Sequence, residues 1–387
     1  MRSVPVVWSA ASLEHDPGAE VWVGVPMQGT EIAERVEVIK ETLTGAGAPL
    51  VDAVEHDDTI LHVVHDPDFV RHLATIHDAW LTAGFVELVG QDRVVPYVFP
   101  TEALLGGLPL RTPTAIHGRA GRYGYDTMTL IGRGSWPAMR GAVDAALTAV
   151  DLVRGADGSP AVSVAYALCR PPGHHATPNG YGGSCYLNNA AVAAEALGRT
   201  GADRVAIVDV DAHHGNGTQA IFYERPDVFY GSLHIDPGAG WFPHYVGYAE
   251  ERGRGAGEGT NRNRPLAEGT GDEGWLAALT DIVSEIREFG PDALVVSLGV
   301  DAALDDPESP LRVSRDGYHR AGEMLGELGV PTVAVQEGGY HLPTLGGLVL
   351  ATLTGLSTAE RPTTPSRPRA ARRGSCRAAR PGRCRAG

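Results

Sequence analysis

Short β-branched apolar runs, separated by helix-compatible stretches, constrain this chain more than any other feature. Such runs occupy Val21–Val25, Val162–Leu168, Val205–Val210, Val228–Leu233, Ala293–Leu298 and Thr332–Val335. Each has the length of a strand and is bounded by polar or turn-forming residues, as expected for strands buried on both faces. Between them, segments such as Ala190–Leu197 and Trp275–Phe289 suit helices. Strand alternating with helix predicts right-handed crossovers and a parallel sheet covered on both sides. The expected class is therefore α/β. The chain has 387 residues, 43% of them hydrophobic, enough for one large domain or two small ones.

In open parallel sheets, ligands sit beyond the carboxyl ends of the strands. Polar clusters fall in that place here, after Leu168, Val210, Leu233, Leu298 and Val335. The densest is 205-VAIVDVDAHHGNG-217, where Asp209, Asp211, His213 and His214 follow a core strand directly. Unpaired charges there would cost several kcal/mol, on the order of a lost buried ion partner. Asp209 and Asp211 are two apart and would share a face if strand geometry continues. Zinc accepts carboxylate oxygen and imidazole nitrogen, and a catalytic site keeps one position for water. Asp211 and His213 suit that role, and Asp301, in LVVSLGVDAALDDP, is the best third ligand from another strand end. Helix caps or turn formers are the plainer reading of Asp209 and Asp211.

Two further clusters add proton chemistry. Tandem His174 and His175 follow Pro171-Pro172-Gly173 at a strand end, a plausible place for an acid–base pair. Asp209 and Asn216 are available to set tautomer and basicity. Tyr340, in QEGGYH, offers a phenol to stabilise an oxyanion, although GGY alone is a weak signal.

Charge narrows the function classes. The formal net charge is −15, yet the final 27 residues carry nine arginines and no acid. An acidic body argues against nucleic-acid binding. No apolar run reaches about 18 residues, so no membrane span is expected, and MRSVPVVWSA does not read as a signal peptide. Four cysteines without a CxxC pair fit a reducing cytoplasm. The stretch Gln91–Met128 is aperiodic and long for a connection, hence functional or interfacial. Residues 357–387, rich in Arg and Pro, are expected to be disordered and to follow a catalytic domain spanning 1–356.

The motifs RPPGHHA, GGSCYLNNAAVAA, VDVDAHHGNGTQAIFYERPDVFYGSLH, FPHYVGYAEE, VVSLGVDAALDDP and EGGYHLP occur in this order between about residues 160 and 345. In them the chain resembles the zinc-dependent histone deacetylases and, more closely, the bacterial acetylpolyamine amidohydrolases of the arginase–deacetylase superfamily. The resemblance implies one open α/β domain with a largely parallel sheet of about eight strands. It implies Zn2+ on Asp211, His213 and Asp301, with Fe2+ as a possible substitute. His175 would be the general base and acid, oriented by Asn216; His174, paired with Asp209, would be its electrostatic partner; Tyr340 would polarise the acetyl carbonyl. A structural K+ would take Asp209, Asp211, His213, Ser232 and Leu233, with a second monovalent site near Phe222, Arg225 and Val228. The expected substrate is a small acetylated amine, and the loop 91–128 would serve a homodimer and the entrance.

Two departures bear on substrate. Gly183, Ser184 and Phe242 are the expected substrate-binding positions, and Ser184 stands where relatives carry an aromatic wall opposite Phe242. Its loss removes about 150–250 Å² of potential apolar surface, so a wider or more polar tunnel is expected. In PTAIHGRAGRYGYDTM, His117 and Met128 occupy places where polyamine-specific relatives carry carboxylates, with Asp126 nearby and Arg111, Arg119 and Arg122 in the same loop. Acetylated polyamines are therefore not the expected preferred substrates. The alternatives are a protein or peptide acetyl-lysine deacetylase and, from another class, a non-catalytic zinc-containing protein that binds acyl ligands. Arginase-like chemistry would need a more acidic, two-metal ligand set. Surface positions are expected for His62, His65, His72 and His77, and a packing role for Cys185.

Overall fold

A computed structural model describes residue 1 and residues 3–156 and 161–358. The expected disordered tail lies outside the described residues from position 359, as do Cys376 and Cys384. Ten strands are described: β1 (Val6–Trp8), β2 (Glu20–Trp22), β3 (Val25–Met27), β4 (Leu50–Asp52), β5 (Val164–Ala167), β6 (Val205–Asp209), β7 (Val228–Ile235), β8 (Asn261–Leu266), β9 (Ala293–Leu298) and β10 (Thr332–Gln336). Eight of them form one sheet in the order β4-β1-β5-β10-β9-β6-β7-β8. Every pairing in it is parallel.

The period-2 geometry of a strand explains why the sequence shows continuous apolar runs. Val205 and Ile207 join one core together with Val333 and Val335. Ala206, Val208 and Ala334 join the core on the opposite face. The first core is closed by helices Pro67–Thr82, Ser135–Arg154 and Asn189–Arg199, through residues such as Leu73, Ile76, Val143, Val150 and Leu197. The second is closed by Glu34–Gly45, Asp272–Phe289, Arg315–Gly326 and Leu342–Thr358. In Asp272–Phe289 the buried positions Trp275, Leu279, Ile282 and Ile286 recur every three or four residues, a helical stripe. That helix stops at Gly290, whose φ of 68° is the left-handed conformation a C-terminal cap requires. Helix Pro67–Thr82 starts where Asp66 accepts from the Asp68 amide and Pro67 fills the first turn. Among the described residues, no helix is long and apolar enough to cross a membrane.

The carboxyl ends of β5, β6, β9 and β10 lie side by side at the centre of the sheet and carry the polar clusters. The periphery differs from the sequence expectation. Val21–Val25 is not a buried parallel strand: β2 and β3 form a separate antiparallel hairpin, turning at Val23 (φ 48°) and Gly24 (φ 79°). Its Trp22 and Val23 are exposed. The β-branched composition was right for a strand, but two residues in the left-handed region reverse the chain before it can cross a sheet. Strand β8, NRNRPL, escaped notice because its inward residues are Asn261 and Asn263 rather than apolar ones. Segment 91–128 forms short turns of helix at Glu102–Leu105 and Ile116–Arg119. His65 and His72 are buried, not surface residues. His65 meets the Thr177 carbonyl and accepts from the Asn188 amide, and His72 packs on Tyr123 and Tyr181.

Candidate active site

Strand β6 ends at Asp209, and the next residues turn across the end of β9. Asp211, His213 and Asp301 converge there, with ligand-capable atoms all within 4.8 Å of one another. His213 Nδ1 stands 3.1 Å from Asp301 Oδ2 and 3.4 Å from Asp211 Oδ1. The remaining carboxylate oxygens are held from the backbone. Asp301 Oδ1 accepts from Ala212 N at 2.7 Å, and Asp211 Oδ2 accepts from Gly338 N at 2.8 Å. A side chain at Gly299 or Gly338 would collide with these carboxylates, so both glycines are required for the close approach.

Electrostatics at this cluster suit a cation. Burial, with the charge of Asp211, pushes Asp301 up to about 7. Against the effect of burial, His174 and His213 hold Asp211 low. Also against burial, hydrogen bonds to Asp211 and Asp301 hold His213 high. Two buried acids thus lean on one imidazole nitrogen. A dication accepting N, O and O donors would balance them, so the residues fit zinc.

The tandem histidines sit beside this cluster with unlike partners. His174 Nδ1 lies 3.0 Å from Asp209 Oδ2. Although burial opposes its charge, Asp211 and Asp209 raise His174 to about 10. His175 Nδ1 lies 2.7 Å from Asn216 Oδ1. An amide oxygen only accepts, so Nδ1 carries the proton and Nε2 is left as the basic atom. Burial first, then the charges of His174 and His213, hold His175 well below its ordinary value. The His175 and His213 rings are 6.3 Å apart, centre to centre.

Tyr340 follows Gly338-Gly339 after β10. Asp306 Oδ2 accepts from its amide at 2.7 Å, and the Arg35 guanidinium lies 4.6 Å from its ring centre. Burial raises its hydroxyl well above the ordinary value, so it remains a protonated donor. Phe242 meets the His175 ring edge-on at 4.7 Å. Gly183 donates to Asp126 Oδ2 at 2.6 Å, and Ser184 donates to Thr129 Oγ1 at 2.9 Å. All the sequence-selected catalytic and zinc-ligand residues therefore gather at one end of the sheet.

A family description, the histone deacetylase domain, matches residues 29–356. The chain belongs to the histone deacetylase family. It is 42% identical over 323 residues to acetylpolyamine amidohydrolase 1 of Pseudomonas aeruginosa, spanning 79% of this chain and 91% of that one. It is 40% identical over 342 residues to acetylpolyamine amidohydrolase of Mycoplana ramosa, spanning 88% and 96%. Among solved structures, acetylpolyamine aminohydrolase from Burkholderia pseudomallei superposes with a TM-score of 0.85 at 36% identity, covering 92% of this chain and 99% of its own. The fold is the arginase–deacetylase fold. The protein is accordingly a deacetylase-type enzyme acting on amide bonds, and its family implies a metal cofactor, typically zinc.

The positions named for potassium are adjacent in this deacetylase: Asp209 is in register with Ser232, and Leu233 is buried beside it. Ser232 Oγ also lies 2.8 Å from His234 Nδ1 and 3.3 Å from His214 Nδ1. Phe222, Arg225 and Val228 lie together where helix Asn216–Phe222 turns into β7. Cys185 is fully buried, and burial keeps its thiol well above the ordinary value, which fits packing.

Several residues of the deacetylase site escaped sequence reasoning. Arg35 donates to the Gly339 and Glu337 carbonyls, each at 2.6 Å, and to Glu31 Oε1 at 2.9 Å, pinning the turn that carries Tyr340. Glu31 also takes Arg170 Nε at 2.8 Å. Glu337 accepts from Gly173 N at 2.6 Å, His174 N at 3.1 Å and Ser297 Oγ at 3.0 Å. The Glu31/Arg35 spacing resembles an exposed helical ion pair, and nothing local to it indicates burial.

Proposed function

We propose that this enzyme hydrolyses the N-acetyl amide of a small amine, releasing acetate, with Asp211, His213 and Asp301 as its zinc ligands. The observation that carries the proposal is the convergence of those three side chains beside an imidazole whose Nε2 is left basic by Asn216. Zinc held there supplies Lewis acidity to the acetyl carbonyl and makes water acidic enough to attack near neutral pH. Fe2+ suits the same donors. His175 Nε2 takes the proton from the attacking water and later delivers it to the departing amine. His174, paired with Asp209, keeps a positive charge beside His175. The Tyr340 hydroxyl donates to the oxygen that becomes negative, from a position fixed by Arg35 and Asp306. Phe242 lines the approach, with Gly183 and Ser184 across from it. Asp209, Asp211, His213, Ser232 and Leu233 are proposed to hold a structural K+, and residues 1–356 to form the catalytic domain. A homodimer assembled through residues 91–128 and a cytoplasmic setting complete the proposal; Cys169 and Cys185 are free thiols.

Acetylated polyamines are proposed not to be the preferred substrates. Both oxygens of Asp126 are already engaged, by Gly183 N, Met128 N, Thr129 N and Thr129 Oγ1. A second reading, polyamine hydrolysis, is favoured by the relatives at 40–42% identity, which are named acetylpolyamine amidohydrolases. Glu20 adds to it as a largely buried acid near Glu308, Asp126 and Glu31. Burial and their charges push it up to about 7, a group of acids that an ammonium would relieve. A panel of acetylputrescine, acetyl-lysine peptides and neutral acetamides separates these readings. Acetylputrescine hydrolysed far faster than the others overturns the preferred one, peptides hydrolysed fastest point to a protein deacetylase, and no hydrolysis by zinc-loaded enzyme overturns catalysis altogether.

A further inference from the structure

We infer that Tyr125 supplies the aromatic wall that Ser184 lacks, and that it forms with Phe242 a slot for the carbon chain of the substrate. The inference rests on the deacetylase reading of the site. Four observations carry it. First, Tyr125 faces Phe242 with ring planes 15° apart and centres 6.4 Å apart. Phe242 in turn touches His175, so the pair stands directly above the proposed base. Second, the Tyr125 ring lies against the backbone of Gly182: a Cβ there would be 2.6 Å from Tyr125 Cδ2 and closer still to its neighbours. The ring thus occupies space beside the Gly182–Ser184 segment, where residue 184 itself contributes no ring. Third, the ring is anchored at its tip. Tyr125 Oη donates to the His175 carbonyl at 2.7 Å, and Asn216 Nδ2 lies 3.5 Å from the same oxygen. Fourth, the loop is stitched to this segment, because the Tyr125 amide donates to the Tyr181 carbonyl at 3.1 Å and the adjacent Asp126 accepts from Gly183. With its tip tied inward, Tyr125 is still 37% exposed, so part of the ring is open to an incoming ligand.

Ring centres 6.4 Å apart are about 1 Å closer than the roughly 7–8 Å needed to flank a chain at van der Waals contact. The two near-parallel rings would part slightly to admit a linear methylene chain, which they suit better than a branched or charged linker. The expected wider or more polar tunnel is therefore replaced by an aromatic slot whose second wall comes from the 91–128 loop. Tyr125 is a specificity-determining residue; through its bond to the His175 carbonyl it also positions the base.

The test compares zinc-loaded wild type, Tyr125→Ala and Tyr125→Phe on N-hexylacetamide and N-methylacetamide, with folding checked by thermal unfolding. Tyr125→Ala is expected to lower the hexyl-to-methyl ratio of kcat/KM about tenfold, mainly through KM for the hexyl amide. Tyr125→Phe keeps the ring and is expected to preserve the ratio. Equal losses on both amides, as a purely structural role would give, overturn the inference. Calorimetry with the product hexylamine supplies a readout apart from turnover, with about tenfold weaker binding to Tyr125→Ala expected. If wild type hydrolyses neither amide, the proposed reaction fails, and hexylamine binding still decides the slot: an unchanged Kd overturns it.

Discussion

At the floor of the site, Asp209, Asp211, Asp301 and Glu337 are almost wholly removed from solvent. Each has its oxygens engaged by backbone amides, imidazoles or hydroxyls. In the peripheral segments for which an entrance role is proposed (hereafter the mouth), hairpin residues Trp22 and Val23, Leu88 in helix Phe85–Val89, and Tyr97, Leu104 and Leu108 of segment 91–128 are exposed. Chain reversals there depend on residues such as Gly24, Gly106 and Gly107 with positive φ. The difference lies in what a single change leaves behind. Removing one member of the floor strands a buried partner, whereas removing a side chain from the mouth exposes a neighbour to water. Chemistry is therefore expected to tolerate almost no substitution at the floor, while substrate choice and assembly can vary at the mouth.

The largest expected effect comes from Asp301→Ala. It removes one proposed ligand and frees both His213 Nδ1 and the Ala212 amide. Metal content and turnover should disappear together, as elemental analysis and kinetics on the same sample would show. Retention of one zinc per chain would break the assignment of the floor.

Arg35→Met extends the test to a buried residue with no proposed contact to substrate. The methionine leaves the Glu31 carboxylate short of one cation and the Glu337 and Gly339 carbonyls unpaired. A loss of about 3–5 kcal/mol in unfolding free energy is expected, the range for breaking a buried charge pair. A denaturant midpoint equal to that of wild type would show that Arg35 is not part of the floor. Tyr340→Phe removes only a hydroxyl. It should keep the metal and the fold while lowering kcat on the order of 10²–10³, the range for one oxyanion donor. Undiminished turnover would remove Tyr340 from the mechanism.

Three further histidines, His15, His65 and His72, are buried away from the proposed zinc ligands. Burial lowers His15, His65 and His72 to about 4, and Arg119 and Arg122 add to the effect at His72. In the unfolded chain these rings take protons near the ordinary value of about 6.5. The folded state binds fewer protons, so their contribution is complete above that pH and is lost as pH falls from 6.5 toward 4. At His72 the loss is at most about 3 kcal/mol. His72→Phe preserves an aromatic surface against Tyr123 and Tyr181 and should flatten this part of the stability profile, as measured by urea unfolding at several pH values. An unaltered slope would mean that His72 does not titrate in this way.

The same division governs what could be read from the sequence. The floor was legible because Asp209, Asp211 and Asp301 follow apolar strands: caps and turns explain one such acid alone, but not polar clusters at several strand ends together. Five of the eight strands of the main sheet matched apolar runs; β1 and β4, three residues each, and the polar β8 carried too weak a pattern to be read. Arg35 and Glu337 were missed because their partners lie about 300 and 160 residues away. Tyr125 was missed because nothing in GRYGYD shows which side chain turns inward. The Val21–Val25 run was misread because β-branched residues favour a strand wherever they occur, and only the Val23-Gly24 turn decides its partner.

The smallest change in monomer stability is expected at the mouth, from Leu104→Glu and Leu108→Glu. Both side chains are mostly in solvent, so each substitution should shift unfolding free energy by less than about 0.5 kcal/mol. If residues 91–128 pair two copies, the same carboxylates would be buried against an apolar partner surface and would oppose association. Sedimentation should then show the double variant dissociating at concentrations where wild type remains paired, with its thermal unfolding otherwise preserved. Unchanged assembly in the double variant would remove these leucines from the proposed interface. A large loss of stability in a monomeric wild type would instead show that the mouth is held by internal contacts of the kind found at the floor.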